Sequence, residues 1–108
     1  MRGLLDNCVD HRFARLISGH QIVHARDRGW HELSNGALLA AAESAGFDVL
    51  VTVDKNIRFQ QDFSRRTISL ITLDSLLVSL AHIAPLAPAL QEQLDKGIPP
   101  GSVIVIGA

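Results

Sequence analysis

Three aspartates each close an apolar run in this sequence. Asp6 follows Gly3-Leu4-Leu5, Asp54 follows Val49-Leu50-Val51-Thr52-Val53, and Asp74 follows Ile71-Thr72-Leu73. Carboxylate oxygens are the hard ligands that Mg²⁺ or Mn²⁺ prefers. If the three runs are neighbouring parallel strands, their ends share one edge of a sheet, where open α/β folds bind their ligands. Carboxylates gathered there repel one another unless a cation or a shared proton compensates. Aspartate after a strand is also a favoured helix cap, and for Asp74 the cap is the simpler reading. Asp6 and Asp54 stand in more polar company, with Asn7 beside the first and Lys55-Asn56 beside the second.

The elements that would position these residues are legible from periodicity. Gly3 to Leu5 reads as a short buried strand. From Asp10 to Ile17 the residues Phe13, Leu16 and Ile17 recur at helical spacing, and Gly19 stops the pattern. Gln21 to Ala25 alternates as a second strand, and Arg26 to Leu33 reads as a charged loop. A helix capped by Ser34 or Asn35 runs to Gly46. Val49 to Val53 is a continuous β-branched-rich run, as expected of a strand buried on both faces. A polar segment leads to Arg66, and Ile68 to Thr72 reads as the next strand. The spacing predicts a helix from Ser75 to Ala84 with Asp74 as its cap. A last helix starts near Pro88 and is closed by Gly97, and Ser102 to Ile106 is a final strand. Strands alternating with helices imply a single three-layer α/β domain, residues 1–108, around a mainly parallel sheet.

Composition narrows the function classes. A chain of 108 residues with 47% hydrophobic content is sized for one packed core. The single cysteine, Cys8, excludes an internal disulfide framework and a multi-cysteine zinc site, and fits a cytoplasmic setting. The most apolar region, Thr67 to Leu90, is broken by Asp74, His82 and two prolines, so no membrane span is expected. The formal net charge of −1 gives no global pull on nucleic acid. Nine of the ten Lys and Arg residues nevertheless precede Thr67, so a polyanion would be held by local cations of the first two-thirds.

Short segments carry a resemblance. Leu4-Leu5-Asp6-Asn7 resembles the opening motif of short PIN-like bacterial proteins related to toxin nucleases. Val51-Thr52-Val53-Asp54-Lys55-Asn56 is similar to their second acidic motif, and Ile57 to Gln61 resembles the segment after it in one branch. Trp30 to Leu39, WHELSNGALL, resembles the central stretch of that branch. The resemblance implies a PIN-like fold and a Mg²⁺- or Mn²⁺-dependent endoribonuclease, in some relatives the toxin of a toxin–antitoxin pair. It assigns metal binding and catalysis to Asp6 and Asp54, with Asp74 matching a third acid. Its pattern also has an acid at the start of the central helix. Here Ser34-Asn35-Gly36-Ala37 offers only the uncharged amide oxygen of Asn35, and Glu43 stands too far along the helix.

On this reading Asn7 and Asn56 stand behind the metal-binding acids and orient ligands or waters there. Arg12, Lys55 and Arg58 hold RNA phosphates. Cys8 reads as a small hydrophobe, His20 and His24 as structural, and Trp30 equally as a packing anchor or a base-stacking platform. The competing functions are a catalytically degenerate PIN-like module that binds RNA or protein, and a receiver-like phosphoacceptor centred on Asp54. The second of these lacks an acidic pair after the first strand. The run from Leu76 to Leu86 is apolar almost all round a helix, which predicts a homodimer or a protein partner; the resemblance implies that such a partner could be an antitoxin.

Overall fold

The computed structural model describes residues 1–107, and Ala108 lies outside the described residues. Five strands, β1 (Arg2–Leu5), β2 (Gln21–His24), β3 (Val49–Thr52), β4 (Ser69–Asp74) and β5 (Val103–Gly107), form one sheet in the order β2-β1-β3-β4-β5. Every neighbouring pair is parallel. The expected α/β architecture is therefore the one observed.

Parallel strands need coverings on both faces, because each crossover lays its helix against the sheet. All four residues of β3 are buried, as its unbroken apolar run requires. Side chains alternate between two cores. One packs Leu5, Val51, Ile71 and Ile106 against Phe13 and against Leu90 and Leu94 of α4 (Ala87–Lys96). The other packs Leu4, Leu50 and Leu70 against Leu38, Leu39 and Ala42 of α1 (Asn35–Ser44). Ser34 caps α1, its hydroxyl accepting from the Ala37 N–H at 3.4 Å. Pro88 and Gly97 bound α4 as their backbone preferences dictate.

Several local expectations are corrected. The Asp10 segment is a 3₁₀ helix, His11–Leu16, and Ala25–Arg28 is a second one where a loop was expected. A short helix, α2 (Ile57–Gln60), interrupts the polar segment after β3. The helix predicted from Ser75 to Ala84 does not form over its first half. Only Leu80–Ile83 is helical (α3), and its cap position is Ser79, not Asp74.

The physical reason lies on both sides of this segment. Strand β4 runs on through Asp74, which pairs with Gly107 of β5. Gly107 has a φ of +103°, and a Cβ there would collide with the Asp74 carbonyl, so this close approach requires glycine. Beyond it, the Ser75 hydroxyl donates to the Leu77 carbonyl at 2.6 Å, a local bond that competes with helix formation. Leu76, Leu77 and Val78 are left exposed at 91%, 55% and 45%. They form a surface loop at the carboxyl edge of the sheet. The all-round apolar helix on which the homodimer expectation stood is absent.

Glu43 has a structural task at the other end of the molecule. It accepts from Arg66 Nη1 at 2.5 Å, from the Thr67 N–H at 2.8 Å and from the Thr67 hydroxyl at 3.1 Å. These bonds tie the end of α1 to the segment entering β4. Burial alone would push this carboxyl up, but the three donors outweigh it and hold the group below its usual range. A depressed carboxylate stabilises the fold above its unfolded-state pKa and loses that contribution as pH falls through the folded value. Glu43→Gln should therefore cost on the order of 1 kcal/mol at neutral pH. The difference from wild type should shrink in acid, as read by urea melts across the carboxylate range.

Candidate active site at the carboxyl edge

The strand order reverses direction between β1 and β3. The chain leaves β1 for β2 on one side, then returns across β1 to place β3 on the other. Such a switch point opens a crevice beyond the carboxyl ends of the two strands. Asp6 directly follows β1, and Asp54 stands two residues after β3. The fold thus brings to one crevice two acids that are 48 positions apart in the chain (54 − 6).

A buried threonine links them. The Thr52 hydroxyl donates to Asp6 Oδ2 at 2.8 Å and accepts from the Asp54 N–H at 3.0 Å. Asp6 is itself buried. Its Oδ1 accepts from the Asn7 N–H at 2.7 Å, and the Cys8 thiol donates to its Oδ2 at 3.5 Å. The Asp6 N–H continues the strand ladder by donating to the Val51 carbonyl at 2.9 Å. Asp54 is half-buried and turned by its own loop, with Oδ1 accepting from the Asn56 N–H at 2.9 Å. The β1–β3 pairing thereby fixes the positions of both acids.

Asp6, Asn7, Asn35 and Asp54 line one open cleft of about 510 Å³, together with Cys8 and His31. Asn35 enters it from the first turn of α1, the position the sequence resemblance singled out. Asn7 also donates through its side chain to the Trp30 carbonyl at 3.2 Å, which ties the loop before α1 to the site. Asn56 acts here through its backbone, and its side chain does not line the cleft.

The third aspartate does not join this cleft. Asp74 lies at the end of the next strand, paired with Lys55 Nζ at 3.0 Å. Among the described residues there is no group of three His, Cys, Asp or Glu side chains placed to share a metal ion. The donor set is thus two carboxylates and two amides. That set suits a Mg²⁺ or Mn²⁺ ion, which is commonly bound by one or two carboxylates and otherwise keeps waters or substrate phosphates. Asp54 lines the cleft, and its Oδ2 accepts no hydrogen bond among the described residues, so an acceptor oxygen remains for a ligand.

Two of the three cations singled out from the sequence are held by carboxylates, and the third lies on an aromatic ring. Arg12 pairs with Asp10 through two side-chain bonds of 3.0 and 2.7 Å, and this pairing holds the Asp10 carboxyl well below the usual carboxylate range. Lys55 is held by Asp74. The Arg58 guanidinium lies 4.7 Å from the centre of the Phe59 ring, with Nη1 buried and unpartnered among the described residues.

Two residues carry more than the sequence assigned them. Thr52 was visible only as part of the second acidic motif. Its signal was a hydroxyl inside an otherwise apolar, fully buried strand. Cys8 is not a hydrophobe packed in the interior but a neighbour of Asp6 in the cleft wall. Partial loss of solvent around the sulfur in the cleft wall, followed by the Asp6 charge, pushes the thiol pKa up. His20 and His24 are structural, the first bonded to Asp95 and the second to the Val9 carbonyl, each at 2.8 Å. Trp30 packs edge-on against Phe47 with centroids 6.2 Å apart, as a packing anchor does.

Thr52→Val keeps the shape of the side chain and removes the hydroxyl that serves both acids. It should cost about 1–3 kcal/mol, the price of leaving a buried carboxylate oxygen short of a donor, while Asp54→Asn should change stability far less. Urea denaturation of the two variants checks the ranking. Comparison with known protein families, with curated proteins and with solved structures finds no match.

Proposed function

We propose that this protein is a divalent-metal-dependent ribonuclease of PIN-like type, with Asp6 and Asp54 as its metal-binding acids. The observation that carries the reading is the convergence of these two carboxylates in one cleft at the switch point of the sheet, joined through Thr52. A bound Mg²⁺ or Mn²⁺ would supply a water of lowered pKa and neutralise charge on the scissile phosphate.

The chain's own residues do the rest. Asp6 is immobilised by the hydrogen bonds from Asn7 and Thr52, so it serves as the fixed anchor. Asp54 is less buried and keeps one oxygen without a hydrogen bond among the described residues, so it can adjust to the ligand. The amides of Asn7 and Asn35 orient water or phosphate oxygens between them. Asp74 acts at one remove, by restraining Lys55 next to Asp54. The reaction is hydrolysis, with a water oxygen forming the new bond to phosphorus and the ribose oxygen leaving with a proton.

A second reading has its own observation. An amide, Asn35, occupies the cleft position where the resembling family carries an acid, and this favours a module that binds RNA or protein without cutting it. The two readings part in a single assay. A mixed RNA pool incubated with Mn²⁺ should be cleaved by the wild type, and Asp54→Asn should lower the rate by at least 100-fold (about 2.7 kcal/mol of transition-state stabilisation). Intact RNA with the wild type, in Mn²⁺ and Mg²⁺ alike, would leave the binding module as the better account. Asn35→Asp adds a charged ligand to the same cleft and should raise the cleavage rate and tighten Mn²⁺ binding together, read by kinetics and calorimetry. Tighter binding with unchanged cleavage would place the limiting group elsewhere.

A further inference from the structure

A second cleft of about 530 Å³ lies beside the first and shares Asn7, Cys8, His31 and Val78 with it. Its remaining walls come from Val9 to His11 at the start of the first 3₁₀ helix, from His24 at the end of β2 and Arg26 just after it, and from Ser79. Four shared lining residues make the two clefts neighbours along the carboxyl edge, an extended arrangement. Two adjoining clefts suit successive units of a chain-like substrate better than one compact small molecule.

The charges in this second cleft differ from those in the first. Arg26 lines it and makes no ion pair or cation–π contact among the described residues, in contrast to Arg12, Lys55 and Arg58. His11 and His31 line it too, at loose distances of 3.8 and 3.9 Å from Asp10 and Glu32. Asp10 is the one carboxylate in the wall, and Arg12 bonds both its oxygens. The backbone beneath Arg26 is held firmly. Buried His24 accepts from the Arg26 N–H at 3.2 Å through Nδ1 and bonds the Val9 carbonyl at 2.8 Å through Nε2. A planar guanidinium on a fixed backbone, flanked by imidazole donors, is suited to phosphate oxygens.

We propose that this cleft is a phosphate subsite of the same nucleic-acid site, in which Arg26, with His11 and His31, holds a phosphodiester adjacent to the one at Asp6 and Asp54. The inference rests on the ribonuclease reading for its substrate class, single-stranded RNA. Arg26 then sets the register of the strand, and the acids act on the linkage this register presents. No residue of the subsite takes part in bond breaking.

The test is fluorescence anisotropy of a short labelled single-stranded RNA in EDTA, with wild type, Arg26→Ala, Arg26→Lys and Arg65→Ala over a KCl series. Arg65 is exposed in the segment leading into β4 and controls for loss of one positive charge. Arg26→Ala should weaken binding on the order of tenfold at low salt and flatten the slope of log Kd against log[KCl] by about 0.7, the value for one lost contact to a single strand. Arg26→Lys should recover part of the affinity, and Arg65→Ala should leave the slope unchanged. Wild-type affinity and slope in Arg26→Ala, or no RNA binding by the wild type, overturns the subsite. Cleavage of the same RNA in Mn²⁺ is scored in parallel, so the two claims fail separately. Cutting with normal binding by Arg26→Ala sinks only the subsite, whereas Arg26-dependent binding without cutting sinks only the nuclease reading.

Discussion

The hydroxyl of Thr52 is the contact on which the carboxyl edge depends. It sits on a fully buried side chain in the middle strand of the sheet, donating to one acid and accepting from the backbone of the other. It reaches both only because Leu5 is in register with Val51. A slip of one residue would turn Thr52 to the opposite face and place an apolar side chain against Asp6. That slip is resisted by the two cores, since every side chain of β3 would exchange one core for the other. The same burial that stabilises the sheet therefore aligns the site.

Charge is partitioned along this edge rather than pooled. Asp74 and Lys55 satisfy each other, as do Asp10 and Arg12, and neither pair adds net charge to the edge. Asp6 is held by neutral donors, namely a hydroxyl, a thiol and a backbone N–H. A carboxylate solvated by dipoles keeps its negative charge available to a ligand, whereas one held by a lysine does not. This distinction separates Asp6 and Asp54 from Asp74, although all three occupy the ends of parallel strands.

The loop from Ser75 to Ser79 gives the edge its apolar rim. Val78 lines both clefts, and Leu33 lines the one that holds the acids. Leu76 and Leu77 stand beside them in solvent. On the far side, α4 closes its core through Leu90 and Leu94, so the C-terminal third stabilises the sheet with a helix and an edge strand. No helix among the described residues is long and apolar enough to cross a membrane.

Periodicity and punctuation in the sequence were enough to determine the strands, the two long helices and their caps, because those depend on local preference and on burying a continuous apolar face. The positions of Ser34, Pro88 and Gly97 at helix ends are local chemistry of this kind. The sequence also singled out Asp6 and Asp54, since each follows a buried run and stands among polar neighbours. It also set Asp74 apart from them, but as a helix cap; the true reason, its pairing with Lys55, depends on tertiary placement that no local window contains. Nor could the sequence show that Leu76 to Val78 stay outside a helix. Strand β4 continues to meet Gly107, a constraint imposed from 33 residues away (107 − 74). Thr52 as the link, Cys8 in the cleft wall and Arg26 without a carboxylate partner were set by strand order and register. Those arise when distant segments pack, and no window of neighbouring residues contains them.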